Sequence, residues 1–443
     1  MIIFLVSLII VFTTIILAFN HPYLSLLFWG IFGSRYDAAG IVGFFDLHFK
    51  YYSFFMDMAL LIILIISIWR YYKLKKSSFN MYIFSSLLLI FWIFISVIIT
   101  AINLKVRISS NVVYAIVNFS PTVMLIWFLN YDYYLKRNRK TENYIVIYIF
   151  IQIIIAFLIV YLPEININIF NKLSGSNYIS DGYIYNKNIF YLTDIMTSLQ
   201  RKYVFNGLGQ FHNANDMGFY GAVGIICSIY AIKKYRMWNK IISIFVLIFS
   251  ILLWGNSGMR GPIIGIFIGV IVYTIFLKKN LKNFLLIVTL TAIAIVILAK
   301  NNELISKILT YLFPNSNNIS FVSRKLLRLE GLKYMAKNPI IGSGGLLEHL
   351  TTKGIDPHEL SLRIACLFGI PASIIITFLL YILPVLEFLK SNNKKFISIL
   401  FYSIVVMVSL TNNYTDICLF WLLFSGSICV LKVKYNKTEY TSM

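Results

Sequence analysis

A chain of 443 residues that is 59% hydrophobic, 17% aromatic and only 13% charged, with a mean hydropathy of +0.80, carries more apolar surface than one water-facing core can bury. This excludes an ordinary soluble enzyme and predicts an all-α, polytopic membrane protein, a single integral membrane domain over residues 1–443. The net charge of +22 does not point to nucleic acid, because the basic residues stand in short clusters between apolar spans and not along one folded face.

Apolar runs that approach or reach the roughly 20 residues needed to cross a hydrocarbon layer predict about twelve helices. In chain order they are 1–19, 54–69, 80–102, 112–130, 144–162, 214–232, 241–254, 262–277, 283–299, 360–389, 396–411 and 416–431. The first run lacks a basic lead and a small-residue cleavage site, so it reads as a retained helix. Leu24–Phe32 reads as a segment that dips into the membrane, since a full crossing there would invert the charge pattern that follows. Clusters at Arg70–Lys76, Lys136–Lys140, Lys233–Lys240, Lys278–Lys282, Lys390–Lys395 and Lys432–Lys437 fall on one side of this layout. The positive-inside rule puts that side, and with it both termini, in the cytoplasm.

All five histidines, His21, His48, His212, His349 and His358, fall on the opposite side, as do three long segments at about 20–53, 163–213 and 300–359. The last is an extracytoplasmic loop between the ninth and tenth helices. Loops of that length are usually functional or disordered. Cys227, Cys366, Cys418 and Cys429 lie in or beside apolar runs with no CxxC spacing, so they read as small core side chains and predict neither a metal site nor a disulfide framework.

Four stretches carry polar chemistry at the outer ends of helices. In "NGLGQFHNANDMGFYGAVG", Asn206–Gly224, Asn213 or Asn215 suits a helix cap, and Gly218, Gly221 and Gly224 suit close helix packing. The crowding of His212, Asn213, Asn215 and Asp216 there also suits sugar or acceptor binding. In "GNSGMRGPIIGIFIG", Gly255–Gly269, glycines every four residues form a packing stripe. Arg260 at its mouth either snorkels to the interface or faces an anion. In "SRKLLRLEGLKYMAKNPIIGSGG", Ser323–Gly345, Arg324 and Arg328 share one helix face. That pair suits a phosphate or pyrophosphate, or is simply a solvated basic face. The helix should stop at Asn338-Pro339, with Gly342, Gly344 and Gly345 permitting a tight turn. Finally, His358 opens a long helix beside Glu359 and Arg363. A lone loop histidine is often incidental, but an imidazole with an ordinary pKa near 6.5 is a natural base at neutral pH.

Taken in order, these pieces resemble the O-antigen ligase/polymerase family of bacterial membrane glycosyltransferases. The family's polar helix entry is similar to "GQFHNANDMG", and its Ser-Arg-Gly turn resembles "NSGMRG" with Arg260 in the arginine place. Its Arg…Pro-x-x-Gly-x-Gly element is similar to Arg324…Pro339-Ile340-Ile341-Gly342-Ser343-Gly344. Its His-Asn followed eleven residues after the His by Gly resembles His358-Glu359 and Gly369. The resemblance spans about Asn206 to Pro384. Two departures stand out: Ser257 and Arg260 are separated by Gly258-Met259, and Glu359 replaces the expected Asn.

The resemblance implies a GT-C-like fold and a polymerase that joins undecaprenyl-pyrophosphate-linked oligosaccharide repeat units into O-antigen or capsular polysaccharide at the outer face of the cytoplasmic membrane. Arg260 and Arg324 would contact the pyrophosphate, with Arg328 in reserve, and screen its charge without a metal or other cofactor. His358 would be the general base of an inverting transfer, while His212, Asn213, Asn215, Asp216 and Glu359 would hold sugar or acceptor. Expected partners are the lipid-linked oligosaccharide, membrane lipid and a chain-length regulator protein, with no nucleic acid. A ligase passing glycan to a lipid or protein acceptor is the alternative within the family. A polysaccharide flippase or transporter is the alternative outside it, although no internal repeat or midplane charge favours one.

Overall fold

The computed structural model describes residues 2–34, 51–74, 80–104, 121–136, 141–161, 205–206, 209–210, 214–235, 237–257, 259, 261–277, 319–345, 357–390, 396–412 and 417–432. These residues are almost entirely helical. The helices are α1 (Ile2–Asn20), α2 (Pro22–Phe32), α3 (Tyr52–Leu74), α4 (Asn80–Leu104), α5 (Pro121–Leu129), α6 (Tyr131–Lys136) and α7 (Thr141–Tyr161). There follow α8 (Ala214–Lys234), α9 (Met237–Ser257), α10 (Gly261–Ile271), α11 (Ile319–Lys337), α12 (Leu360–Thr377), α13 (Leu383–Lys390), α14 (Phe396–Thr411) and α15 (Cys418–Lys432). Short π-helical stretches extend α10 over Val272–Leu277 and join α12 to α13 over Phe378–Ile382. A two-residue antiparallel ladder pairs Phe205 with Gln210 and Asn206 with Gly209.

Each expected helix from 1–19 to 416–431 has its counterpart, save that 112–130 is described only from Pro121 and 283–299 lies outside the described residues. Two described helices, Tyr52–Leu74 and Asn80–Asn103, are long and apolar enough to cross a membrane, and the Leu360–Lys390 stretch is so by length and composition but is broken at Gly369. The outward faces are apolar too. Ile9 and Ile16, two turns apart on α1, are 62% and 63% exposed, and Phe84 on α4 is 62% exposed. Such faces would be an aggregation liability in water and are ordinary in lipid, which marks a membrane protein.

The Leu24–Phe32 segment is helical, but its 11 residues in α2 reach only about 16 Å, too short to cross. It folds back along α1, where Ser25 Oγ donates to the Thr14 carbonyl at 2.5 Å. Trp29 Nε1 then donates to the Met56 carbonyl at 2.9 Å, and the Tyr52 hydroxyl to Phe32 O at 3.0 Å. This short helix is thereby clamped between α1 and α3.

One expectation is corrected. The run 360–389 reads as a single long helix, but Gly369 sits at φ 86°, ψ 171° and breaks it. The two arms fold back on each other. Ser373 Oγ donates to the Ser361 carbonyl at 2.9 Å, and Thr377 Oγ1 to Ser361 Oγ at 3.2 Å. In a straight helix Ser361 and Thr377 would lie about 24 Å apart.

Breaking a helix strands the last carbonyls of one arm and the first N–H groups of the next. Here the 338–345 turn and α4 take them up. Ser343 N donates to Cys366 O at 2.8 Å and Gly345 N to Leu367 O at 3.1 Å, while Ile370 N donates to Pro339 O at 2.7 Å. Trp92 Nε1 donates to Phe368 O at 2.9 Å, and Ser96 Oγ holds the turn itself through Ile341 O at 2.6 Å. Pro371, with no N–H to lose, opens the second arm.

The exchange needs backbone against backbone. Gly342, Gly344 and Gly369 all have positive φ. A Cβ on Gly342 would meet the Cys366 carbonyl, one on Gly344 would meet Thr100, and one on Gly369 would collide with Ile340 O. Gly369→Ala combines the left-handed penalty of about 1–2 kcal/mol with that collision, and should destabilise the protein by at least about 2 kcal/mol. A clear fall in the melting temperature of detergent-purified protein, or loss of folded protein from membranes, is the expected readout.

Candidate active site

The site is assembled from helix ends that the glycine stripes pull together. Gly218, Gly221 and Gly224 of α8 face α9, where added methyl groups would meet Ser257, Trp254 and Ser250. Gly265 and Gly269 of α10 lie against Ile404, Ser403 and Leu400 of α14. Close backbone approach lets dispersion and small-residue packing replace the hydrophobic drive that lipid cannot supply.

Between α9 and α10 the chain reverses in a few residues. Ser257, 1% exposed, holds the turn: its Oγ donates to Trp254 O at 2.7 Å and accepts from Met259 N at 3.1 Å. Trp254 Nε1 closes it by donating to Met259 O at 3.0 Å. Gly218 abuts both Ser257 and Met259, so the first turn of α8, with Asp216 buried at 3% exposure, sits beside this reversal.

From there a chain of contacts leads to the α12 hairpin. Gly261, just past the reversal, abuts the Thr411 hydroxyl at the end of α14. Half a turn back on α14, Ser409 Oγ meets the Tyr381 hydroxyl at 2.8 Å. Tyr381 also reaches the Ser361 hydroxyl, two residues after Glu359. By folding back at Gly369, the first arm thus returns Pro357–Ser361 to the helix ends carrying the α9–α10 reversal. A straight helix would have carried it away.

The basic face of α11 closes the other side. Gly331 packs on Pro357 and Leu362 and accepts from Cys366 Sγ at 3.3 Å. One turn earlier Arg328 Nη2 forms an ion pair with Glu359 Oε2 at 3.2 Å. Arg324 lies one further turn along that face. Glu359 caps α12 in extended conformation, so the positive end of the helix dipole points at the His358–Glu359 segment. Arg363, 4% exposed in the first turn, brings a further cation into the same place. Arg328 of α11 and Arg363 of α12 thus lie on either side of Glu359 in the chain, and Glu359 is next to His358 in sequence.

The expected residues fare unevenly. Arg328 meets Glu359, the residue after His358, with Arg324 one turn away on the same helical face, and Asp216 stands beside the α9–α10 reversal. Arg260, His212 and Asn213 lie outside the described residues, and the side chain of Asn215 does too. Glu359, expected to contact sugar or acceptor, is engaged by Arg328. Ser361, Tyr381, Ser409 and Thr411 were not expected at all. Nothing in their local sequence separates them from ordinary helix hydroxyls, since only the Gly369 reversal makes them neighbours.

Residues 244–377 match a family model described as O-antigen ligase. Over this segment the chain is similar to the O-antigen ligase family. The match covers less than a third of the chain, but includes the α9–α10 reversal, the basic face of α11 and the helix break at Gly369. It supports a membrane enzyme of glycosyltransferase or ligase type in polysaccharide biosynthesis and lends nothing to a flippase. No curated protein matches the chain.

The Arg328–Glu359 pair is open to solvent, with side chains 64% and 28% exposed. Such pairs contribute about 1 kcal/mol or less, so an incoming anion can displace the carboxylate. Glu359→Gln should therefore tighten binding of inorganic pyrophosphate to the purified protein by up to about five-fold, measured calorimetrically. An unchanged or weaker affinity would show that Glu359 does not compete for this guanidinium.

Proposed function

We propose that the protein is a polymerase of about twelve membrane crossings, joining undecaprenyl-pyrophosphate-linked oligosaccharide repeat units into O-antigen or capsular polysaccharide at the outer face of the bacterial cytoplasmic membrane. One observation carries the reading: within the segment matched to the family, the basic face of α11 is tied to the residue beside His358 by the Arg328–Glu359 pair. The side of the membrane is argued from charge. The basic clusters fall on one side of the helix layout, so the positive-inside rule would put the 300–359 segment, with His358, on the opposite, extracytoplasmic side.

In this mechanism the acceptor hydroxyl gives its proton to His358 as its oxygen attacks the anomeric carbon. The bond from that carbon to the pyrophosphate oxygen breaks, inverting the configuration and releasing undecaprenyl pyrophosphate. Arg260 and Arg324, with Arg328 in reserve, screen the charge that grows on the leaving group. Fixed guanidiniums in a partly dry site need no reorganisation at that moment, which is why they lower the barrier. His212, Asn213, Asn215 and Asp216 orient sugar or acceptor at the α8 entrance, and a chain-length regulator protein is a natural partner.

The description of the matched family favours a second reading, transfer of finished glycan to a lipid or protein anchor. Deleting the protein separates the two. A polymerase deletion leaves single repeat units on the carrier, whereas a ligase deletion leaves long chains there. In either case, His358→Ala and Arg324→Ala should abolish product while protein levels in the membrane hold. Normal product from both variants would defeat the assignment of these roles.

A further inference from the structure

The turn that fills the helix break has a second face. Thr100 and Asn103 of α4, with Tyr334, Asn338 and Ser343 of α11 and its turn, line an open cleft of about 330 Å³. That volume is at the lower end of the roughly 300–1,000 Å³ of small-molecule pockets. Among the described residues, no charged side chain lines it. Its polar groups are two carboxamides and three hydroxyls, set among the aliphatic surfaces of Pro339, Ile340 and Ile341.

This lining is selective by elimination. An anionic ligand would find no cation among the described lining residues, and a lipid chain would strip water from two amides and return no hydrogen bond. A neutral polyol satisfies both halves: its hydroxyls meet amide and hydroxyl groups, and its C–H face lies on Pro339, Ile340 or the Tyr334 ring.

Ser343 adds a separate observation. It is 4% exposed, and its Oγ has no hydrogen-bond partner among the described residues. A buried hydroxyl left in that state costs about 1–3 kcal/mol. It is not needed to dock the turn, because the docking bond to Cys366 O comes from the Ser343 backbone N–H. Ser343 lines the cleft, so this Oγ is an unpaired donor and acceptor just beneath its surface. Burial pushes the Tyr334 phenol up from its ordinary pKa, with the nearby Cys366 adding to the shift, so it stays a neutral donor. Asn103 and Asn338 are exposed at the rim, where a ligand would first meet the protein.

We propose that this cleft is a saccharide subsite, holding a neutral sugar residue of the donor or acceptor glycan away from the reacting end. Ten residues of helix and helix end separate Arg328 from Asn338, which sets the subsite about 15 Å from the Arg328–Glu359 pair. That is an interval for a sugar further along an oligosaccharide, not for the one being transferred. The inference rests on the reading of the protein as a transferase of lipid-linked glycans, and it adds where part of the glycan is recognised.

The test uses the full chain purified in detergent and two separate probes. One is the lipid-free repeat-unit oligosaccharide, released by mild acid from the cell's own lipid-linked pool; the other is inorganic pyrophosphate. Asn103→Ala, Asn338→Ala and Ser343→Ala should each weaken oligosaccharide binding by about five-fold. Pyrophosphate affinity should stay at its wild-type value in all three, and the melting temperature should not fall, while Ser343→Ala, which removes the unpaired hydroxyl, should raise it. If Asn338→Ala disturbs the turn, Asn103→Ala on α4 carries the test alone. Failure of the wild-type protein to bind the oligosaccharide at millimolar concentration, or wild-type affinity in Asn103→Ala and Ser343→Ala, overturns the subsite. Should the cleft variants lose the oligosaccharide while His358→Ala and Arg324→Ala still make product, the subsite stands and the assigned transfer roles fall.

Discussion

The structure depends on an exchange of backbone hydrogen bonds across one broken helix. When Gly369 turns out of helical conformation, the carbonyls of Cys366, Leu367 and Phe368 lose their partners in a setting where water is scarce. Leaving one such group unpaired costs about 1–3 kcal/mol, so the break can persist only with replacements in place. Ser343, Gly345 and Trp92 supply them, and Ile370 returns a bond to Pro339. The two segments specify each other, because neither the turn nor the break is satisfied alone.

The site follows from that exchange. Reversal at Gly369 lays the first arm of α12 along the second and brings Glu359 and Ser361 back to Tyr381, Ser409 and Thr411. The same docking fixes α11 against α12, so that Arg328 meets Glu359. Packing through small residues brings the α8 entrance and the α9–α10 reversal to the neighbouring helix ends. The arrangement separates structural from chemical work: glycine backbones make the close contacts, while the Arg328–Glu359 pair stays near solvent. The Arg328–Glu359 pair is weak enough to yield to a more highly charged ligand, as the proposed binding and release of a diphosphate requires.

Much of this was legible locally. The glycine repeats of α8 and α10 announce close packing, and both stripes do face neighbouring helices. The four-residue spacing of Arg324 and Arg328 puts them on one face, and Asn338-Pro339 ends that helix as expected. The short polar turn at Ser257 also forms where the sequence puts it. What misled was the apolar run around Gly369. Hydrophobic periodicity continues through "RIACLFGIPASIII" as if the helix did, because lipid and helix partners reward the same side chains on both arms. Gly369 followed by Pro371 was the available signal, a helix stop and a helix start two residues apart.

The sequence by itself determined that the chain is helical and membrane-embedded, where most of its helices lie, and which residues could carry charge to their ends. These are properties of composition and of neighbours within one or two turns, where residue spacing alone sets geometry. Tertiary structure alone decided that the 360–389 run doubles back, that Glu359 pairs with a guanidinium 31 positions earlier, and that Thr100 and Asn103 share a cleft with Ser343. Such choices depend on which distant backbone groups can satisfy a broken helix, and no local pattern encodes a partner far along the chain.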